Sequence, residues 1–539
     1  MMSVSVPAAP EQKASSGGRS VQTYIDETPI WADGTALQST PMTAMQWRIW
    51  TLAAAGKFFE GLVVFMTGVA MPLIAEEFDI TKMQHGMVGA ASLFGILVGA
   101  IGLGGLSDYF GRKVMFIVEM IIFMIFLLLL VASPSYFWLV VFLFGLGVAL
   151  GCDYPTAHLI ISESIASRMR GRLVLGAFGF QALGALTGTV VGYLVLKNVP
   201  EIGAWRWMYA TAIIPALIVT IGRFSIPESA HWLLVRGRHK DAQTQIARLL
   251  ARKPPYPNHV ELAQPVASKS ARNIAALFNK ANLRATILAS VPWFLQDLGT
   301  YGIGIFTPTI LASTLGHKTA HARNLADLIN NDVLAAKGAG FIDLLLIVGI
   351  VCAILFVDKA GSIRLQILGF IGCAAGLAIA ASSTYVTGGN QLLLIFTGFM
   401  LFNFMTNLGP NAQTYLLAGE VFPTRVRGMG AGFAAAFAKI GAVATAFLFP
   451  ILLVDIGTQA LLYILVGTSL LGAIITWLFR IDTTGVSLEQ IGSDPSERRQ
   501  AMGQDASPQV SLETQSEEAC KDAEAKGEVS ESDPAKSNF

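Results

Sequence analysis

Trp293, Asp297 and Tyr301 stand four residues apart in the apolar stretch VPWFLQDLGTYGIGIF. Four residues on an α-helix drift by only about 40°, so the three form one stripe bearing an indole N–H, a carboxylate and a phenol. A charge at bilayer depth costs about 2.5–3.5 kcal/mol on insertion scales, so Asp297 demands a partner. Lys439, in AAFAKIGAVA, is the only lysine in the middle of a late apolar stretch and is the obvious counter-ion. Their attraction offsets part of both desolvation costs, yet leaves neither charge fully satisfied in an empty site. An anion would complete such an arrangement. Other polar residues interrupt apolar stretches as well: Glu60, Glu119, Asp153, Tyr154, Gln181, Asn403, Asn407 and Asn411. Ionisable residues inside membrane segments mark substrate and proton pathways.

None of these residues is arranged for covalent chemistry. The chain has no HExxH, no nucleophile elbow and no Gly-rich phosphate loop, so it is not read as an enzyme and no cofactor is expected. Its four cysteines, Cys152, Cys352, Cys373 and Cys520, include no CxxC pair, and no metal or disulfide framework is expected. Glycine runs such as GLGVALG suit close helix packing.

The elements that must position these residues are membrane helices. The 539 residues are 53% hydrophobic and only 14% charged, where soluble domains are nearer a quarter charged. The apolar residues fall in blocks of about 20, the length that crosses a hydrocarbon core. Twelve spans are predicted, at 48–75, 86–106, 114–133, 136–163, 173–197, 207–226, 284–312, 340–357, 365–383, 391–418, 429–454 and 458–480. The fold class is therefore an all-α polytopic membrane protein. Before the first span there is no apolar core of a cleaved signal, so that span is expected to act as the insertion signal.

Basic residues orient the spans. One set of short loops holds Arg112, Lys113, Arg168, Arg170, Arg172, Lys359, Arg364, Arg425 and Arg427; the opposite loops hold few. The first set is assigned to the cytoplasm, with both termini. The predicted organisation is a cytoplasmic tail (1–47), a six-helix half (48–227), a cytoplasmic linker (228–283), a second six-helix half (284–480) and an acidic tail (481–539). After Ile481 the chain has 13 acidic against 5 basic residues and few aromatics, a composition that predicts disorder.

The halves echo one another. SESIASRMRGR follows span 4 and GEVFPTRVRGMG follows span 10. Counting from Glu163, Arg168 and Arg170 lie 5 and 7 residues on; counting from Glu420, Arg425 and Arg427 do the same. A weaker echo links GLSDYFGRK to FVDKAGSIR. Repeated six-helix halves are a transporter architecture with the substrate near the midplane between them. Glu163, Arg170, Glu420, Arg425 and Arg427, at the cytoplasmic helix ends, are read as a gating latch between the halves. Asp108, Arg112, Glu228 and Arg238 receive the same reading.

GGLSDYFGRK resembles the signature loop of the major facilitator superfamily, and PESAHWLLVRGR resembles its sugar-porter-like branch. A narrower likeness is carried by GCDYPTAHLIISE, WFLQDLGTYG and GPNAQTYLLAGEVFPTRVRG. These resemble the phosphate:proton symporter family, whose fourth span typically reads G-G-D-Y-P where this chain has Cys152. The resemblance implies the major facilitator fold and places a phosphate site on Tyr154, Gln181, Trp293, Asp297, Tyr301, Asn411 and Lys439. It also nominates Glu60 and Asp153 for proton coupling, and Glu119 on span 3 is a third candidate. The first span, GKFFEGLVVF, departs from the family: two aspartates three apart are usual there, and this chain has Glu60 and Val63. Lys57, one turn earlier, is placed to pair with Glu60.

The chemistry suits phosphate. Lys439 supplies positive charge, and Gln181, Trp293, Asn411, Tyr154 and Tyr301 supply neutral donors. Ionised Asp297 would accept from a phosphate P–OH, a proton sulfate lacks, leaving sulfate to be repelled. The expected function is proton-coupled phosphate import by alternating access. The alternatives are another small anion or organic acid, a sugar or polyol, or a substrate-sensing receptor of the same fold. The expected partners are phosphate, protons and the lipid bilayer, with no nucleic acid. The expected form is a monomer in a plasma or bacterial inner membrane.

Overall fold

Within lipid no water is present to bond backbone N–H and C=O groups, which leaves helices and closed barrels as the spanning structures. The computed structural model describes residues 19–28, 41–102, 106–251, 260–262, 274–315, 325–423 and 426–481, and among these the only bridge between extended segments is Arg19 with Leu262, outside the spans. The first half comprises α1 (Ala44–Phe78), α2 (Lys82–Gly102), α3 (Arg112–Val131), α4 (Tyr136–Ser164), α5 (Ser167–Asn198) and α6 (Ala204–Phe224). In the second come α7 (Leu283–Leu315), α8 (Leu325–Ala360), α9 (Ser362–Ser382), α10 (Gly389–Glu420), α11 (Arg427–Asp455) and α12 (Gly457–Phe479). Eleven of them are long and apolar enough to cross a membrane. The twelfth, α7, has the length at 33 residues and carries Gln296, Asp297, Thr300 and Tyr301 in its middle. The chain is a multi-pass integral membrane protein of twelve helices in two six-helix halves. The acidic tail from 482 onward, expected to be unstructured, lies outside the described residues.

Local sequence explains where the helices start, bend and stop. Thr43 and Gln46 form a reciprocal capping box that opens α1, and Asp79, left-handed at φ 47°, ends it. Prolines lie within α1 (Pro72), α4 (Pro155), α7 (Pro292, Pro308) and α11 (Pro450), each removing one intrahelical bond. Gly409 interrupts α10, and Pro410 opens its second piece with no N–H to lose. On α3 the exposed residues are Val114, Val118, Ile121, Ile125, Leu128 and Leu129, an apolar stripe that faces lipid. Its opposite face buries Phe116, Glu119, Met120 and Phe123.

An even number of spans brings the start of α1 and the end of α12 to one end of the bundle, with the linker. At the opposite, distal end the two halves touch directly. Lys82 of α2 pairs with Asp455 of α11 at 3.4 Å, and His85 of α2 packs its ring on Phe306 of α7, centroids 6.3 Å apart. Deeper in, Gly68 of α1 lies so close to the carbonyl of Ile305 on α7 that any Cβ would collide with it. Closure there therefore rests on backbone approach rather than on the exposed, weak ion pair.

Gly68→Val should add about 1–3 kcal/mol of overpacking at this seam. That favours, by roughly tenfold, arrangements in which α1 and α7 stand apart distally. Spin labels at Asp79 and Asp455 should report more of the longer distance; an unchanged distribution would count against closure at Gly68.

Candidate functional site

Four helices, two from each half, bring a charged cluster to mid-membrane. Lys439 of α11 directs its Nζ to the Tyr301 hydroxyl at 2.6 Å, to Asp297 Oδ2 at 3.3 Å and to Glu60 Oε1 at 3.6 Å. The ammonium also lies 4.4 Å from the centre of the Tyr301 ring. Tyr301 donates its hydroxyl proton to Glu60 Oε1 at 2.8 Å. From α5, Gln181 Nε2 donates to Tyr301 at 3.1 Å and to Glu60 at 3.3 Å. The second Glu60 oxygen takes Lys57 Nζ at 3.1 Å. Two lysines thus face two carboxylates, and the cluster is neutral when all four are ionised. Every one of these side chains is buried, and Asp297 is only 1% exposed. Removing one member would strand its partners without water, the situation in which buried charges are most costly.

Aromatic rings wall the cluster. Trp293 meets Tyr415 of α10 edge-on at 6.0 Å, and Tyr415 stacks on Phe178 of α5 at 4.6 Å. Lys57 Nζ lies 5.8 Å from the centre of each of the Phe178 and Tyr415 rings. The stripe predicted on α7 is thus split in use: Asp297 and Tyr301 bond to Lys439, while Trp293 packs in the aromatic wall. Asn411 is placed elsewhere, accepting from Gln296 at 3.0 Å and donating to Asn407 at 2.7 Å. The structure does not bring it into hydrogen bonding with Lys439.

The carboxylates nominated for proton handling fall into two groups. Glu60 joins the Lys439 cluster. Asp153 and Glu119 instead grip Arg223 of α6, each at 2.6 Å. Arg223 is fully buried, donates to the carbonyl of Phe116 at 2.6 Å and lies 3.5 Å over its ring. Asp153 comes so near α1 that a Cβ on Gly56 would collide with its carboxylate. Glu119 Oε2 is buried with no hydrogen-bond partner among the described residues. Two carboxylates on one guanidinium leave an excess negative charge, which one shared proton would cancel.

Of the residues read as a latch, Arg112 pairs with Glu163 at 3.4 Å and Ser229 donates to the other Glu163 oxygen. Glu228 accepts from the Lys113 backbone N–H at 3.1 Å. These contacts lie within the first half and the start of the linker, not across the halves. Arg238 pairs with Asp241, in its own linker helix, at 2.8 Å. Arg170 is half-buried near the start of α5. Glu420 ends α10, and Arg427 opens α11 and donates to the carbonyl of Phe422 at 3.2 Å. The side chains of Asp108 and Tyr154, and Arg425 as a whole, lie outside the described residues.

Sequence reasoning missed Arg223, Tyr415 and Gln296. Arg223 had a signal, since it stands inside the predicted span 207–226 and a buried guanidinium there needs carboxylates. Tyr415 had none, because an aromatic in an apolar span reads as packing.

A family model described as "Sugar (and other) transporter" matches residues 42–494, most of the chain. The chain belongs to this family. It is a transporter, not an enzyme. The Escherichia coli "Inner membrane metabolite transport protein YgcS" is 29% identical over 460 residues, covering 85% of this chain and 96% of that protein. The "Probable inorganic phosphate transporter 1-12" of Oryza sativa subsp. japonica is 28% identical over 457 residues, covering 76% of this chain and 82% of that protein. Among solved structures, the major facilitator superfamily proton:xylose symporter XylE aligns with a TM-score of 0.67 at 18% identity, covering 83% of this chain and 98% of that one. That likeness establishes the major facilitator fold of the transporter.

Arg223→Met should strand Glu119 and Asp153, at a cost of about 3–5 kcal/mol. The apparent Tm in detergent should fall sharply, and adding Glu119→Gln with Asp153→Asn should restore most of it. A Tm insensitive to Arg223→Met would show that the triad bears no such charge balance.

Proposed function

We propose that this transporter imports inorganic phosphate together with protons by alternating access. The observation that carries the reading is that Lys439 is shared by two carboxylates from opposite halves, Asp297 and Glu60. In the empty site both lysines are neutralised internally, so an added anion finds no net positive charge. Protonating Glu60 releases Lys57 and half of Lys439 to the anion. Anion and proton then favour each other's binding by the same free energy, which is what coupling requires. Gln181 and Tyr301 supply neutral donors, and Asp297 accepts from a P–OH. Tyr154, Trp293 and Asn411 are carried into the site by the phosphate-family resemblance; in this arrangement Trp293 walls it and Asn411 leads away through Gln296.

The proton route in this reading has two stations. Asp153 and Glu119 share one proton across Arg223, and Glu60 takes another beside the substrate. Because α1 holds both Gly56, against Asp153, and Glu60, a shift of that helix moves both stations together. Loops rich in Arg and Lys assign the tail end, with both termini and the linker, to the cytoplasm. The Arg112–Glu163 ion pair and the hydrogen bond from the Lys113 N–H to Glu228 then brace the cytoplasmic end of the first half, with Arg170, Glu420 and Arg427 at the same end. We assign the protein to a plasma or bacterial inner membrane as a monomer. The name of the Oryza sativa relative supports phosphate as the substrate.

A second reading is an organic metabolite or sugar. It is favoured by the amide chain Gln296, Asn411 and Asn407 with Thr300 and Thr406, where Gln296 Oε1 has no partner among the described residues.

Radiolabelled phosphate uptake into proteoliposomes decides between them. An inward proton gradient should drive accumulation, and Asp153→Asn should abolish it. Lys439→Ala should lower uptake by roughly 100-fold or more, matching the 3 kcal/mol or so lost when one partner of a buried pair is removed. Asp297→Asn should erode the preference for phosphate over sulfate. Uptake that is indifferent to the gradient, or phosphate that fails to compete with an organic substrate, would overturn the phosphate reading.

A further inference from the structure

Asp343 stands at the midpoint of Ile329–Val357, the apolar part of α8, and belongs to neither charged cluster. It is buried at 3% exposure. Unlike Asp297, Glu60, Asp153 and Glu119, it has no cation beside it among the described residues. Its partners are two neutral side chains: Thr189 Oγ1 of α5, 2.8 Å from Oδ2, and Asn403 Nδ2 of α10, 3.3 Å from Oδ1. The elements packed around it supply no charge. No ionisable side chain occurs on Gly389–Leu408 of α10. Those of α5 nearest the ends, Arg168, Arg170, Arg172 and Lys197, form no ion pair with it, nor does Tyr193 bond to it. Lys57 and Glu60 of α1 and Asp297 and Tyr301 of α7 are engaged with Lys439 and with one another. On α8 itself, Asp332, Lys337 and Lys359 make no contact with it, and Arg364 of α9 lies beyond that helix end.

Counting hydrogens favours the protonated state. The Thr189 hydroxyl carries one hydrogen and has two acceptors in reach, the carbonyl of Ala185 at 3.1 Å and Asp343 Oδ2 at 2.8 Å. If Asp343 is ionised, that single hydrogen is split between them, and a buried charge is left with little more than one good donor. If Oδ2 carries a proton, each group is satisfied. Asp343 donates to Thr189, Thr189 donates to Ala185, and Asn403 donates to Oδ1. The direct 2.8 Å contact also leaves no room for a metal ion between the two oxygens.

The location gives the proton a consequence. Thr189 belongs to the first half and Asp343 to the second, so this bond crosses the seam that must move when the halves rock. We propose that Asp343 is a proton-binding site at the α5–α8 seam, loaded in the arrangement described here and emptied when the seam opens to water. It is separate from the Glu60 and Asp153 stations. The release step rests on the proton-coupled reading above; the loaded state does not.

Infrared spectroscopy of the full chain in lipid nanodiscs, without substrate, tests the loaded state. At neutral pH the wild type should show the carbonyl band of a buried carboxylic acid, and Asp343→Asn should remove it. Thr189→Val, which keeps the shape, should move that band to higher frequency because the acid O–H loses its acceptor. A wild-type spectrum unchanged by both variants would overturn the proposal, whatever the substrate. For the release step, proteoliposomes with a trapped pH dye count protons per substrate. Asp343→Asn should keep substrate exchange and lose one proton per cycle; an unaltered count would overturn release.

Discussion

Charge in a medium that cannot solvate it is the constraint on which this structure turns. Each ionised group placed between the spans must find an opposite charge or a set of donors, because water cannot relax around it. The chain solves this locally and in different ways. Lys439 and Lys57 share Glu60 and Asp297, Arg223 holds Glu119 and Asp153, and Asp343 is left with hydroxyl and amide partners. These three solutions differ in balance: neutral, one negative charge in excess, and no cation at all. Such unequal balances give the membrane interior places where adding a proton or an anion is favourable.

The helix packing serves the same end. Apolar stripes such as that on α3 are turned to lipid, while polar side chains are turned inward from α1, α5, α7 and α11. Small residues then let polar helices approach closely enough for side chains to meet at hydrogen-bond distance. Gly56 against Asp153 and Gly68 against Ile305 are two such points on one helix. Because α1 touches α4, α5 and α7 through its glycines and charges, it is the helix that links the Lys439 cluster to the Arg223 triad.

Much of this was legible in the sequence, for physical reasons that can be named. Span count and the two-half organisation follow from hydropathy and the repeated Glu…Arg…Arg spacing, since both are one-dimensional signals. The pairing of Asp297 with Lys439 was readable because two opposite charges in apolar stretches of one half have few other partners. What the sequence withheld was the three-dimensional sorting of the rest. Nothing in GKFFEGLVVF says that Glu60 reaches across to Lys439 rather than joining Asp153. Asn411 belongs with Gln296 because of a helix rotation that spacing does not encode. Arg223 stands three residues inside the end of its predicted span, where sequence does not separate a terminal charge from a buried one, and its burial makes it the centre of a triad. Asp343 was hidden for a similar reason, lying only three residues inside the predicted span 340–357.

The composition of α7 has a consequence for how the protein is made. This helix is long, and it carries Gln296, Asp297, Thr300 and Tyr301, all buried, through its middle. A segment of that kind partitions poorly into lipid by itself. Its counter-ion Lys439 lies 142 residues later in the chain. During synthesis Asp297 therefore leaves the ribosome well before the lysine that neutralises it exists. Until α11 arrives, α7 must be sheltered against the finished first half, where Gln181 and Glu60 already wait for Tyr301. The polar stripe of α7 thereby sets an order of assembly, in which the first half acts as a template for the second.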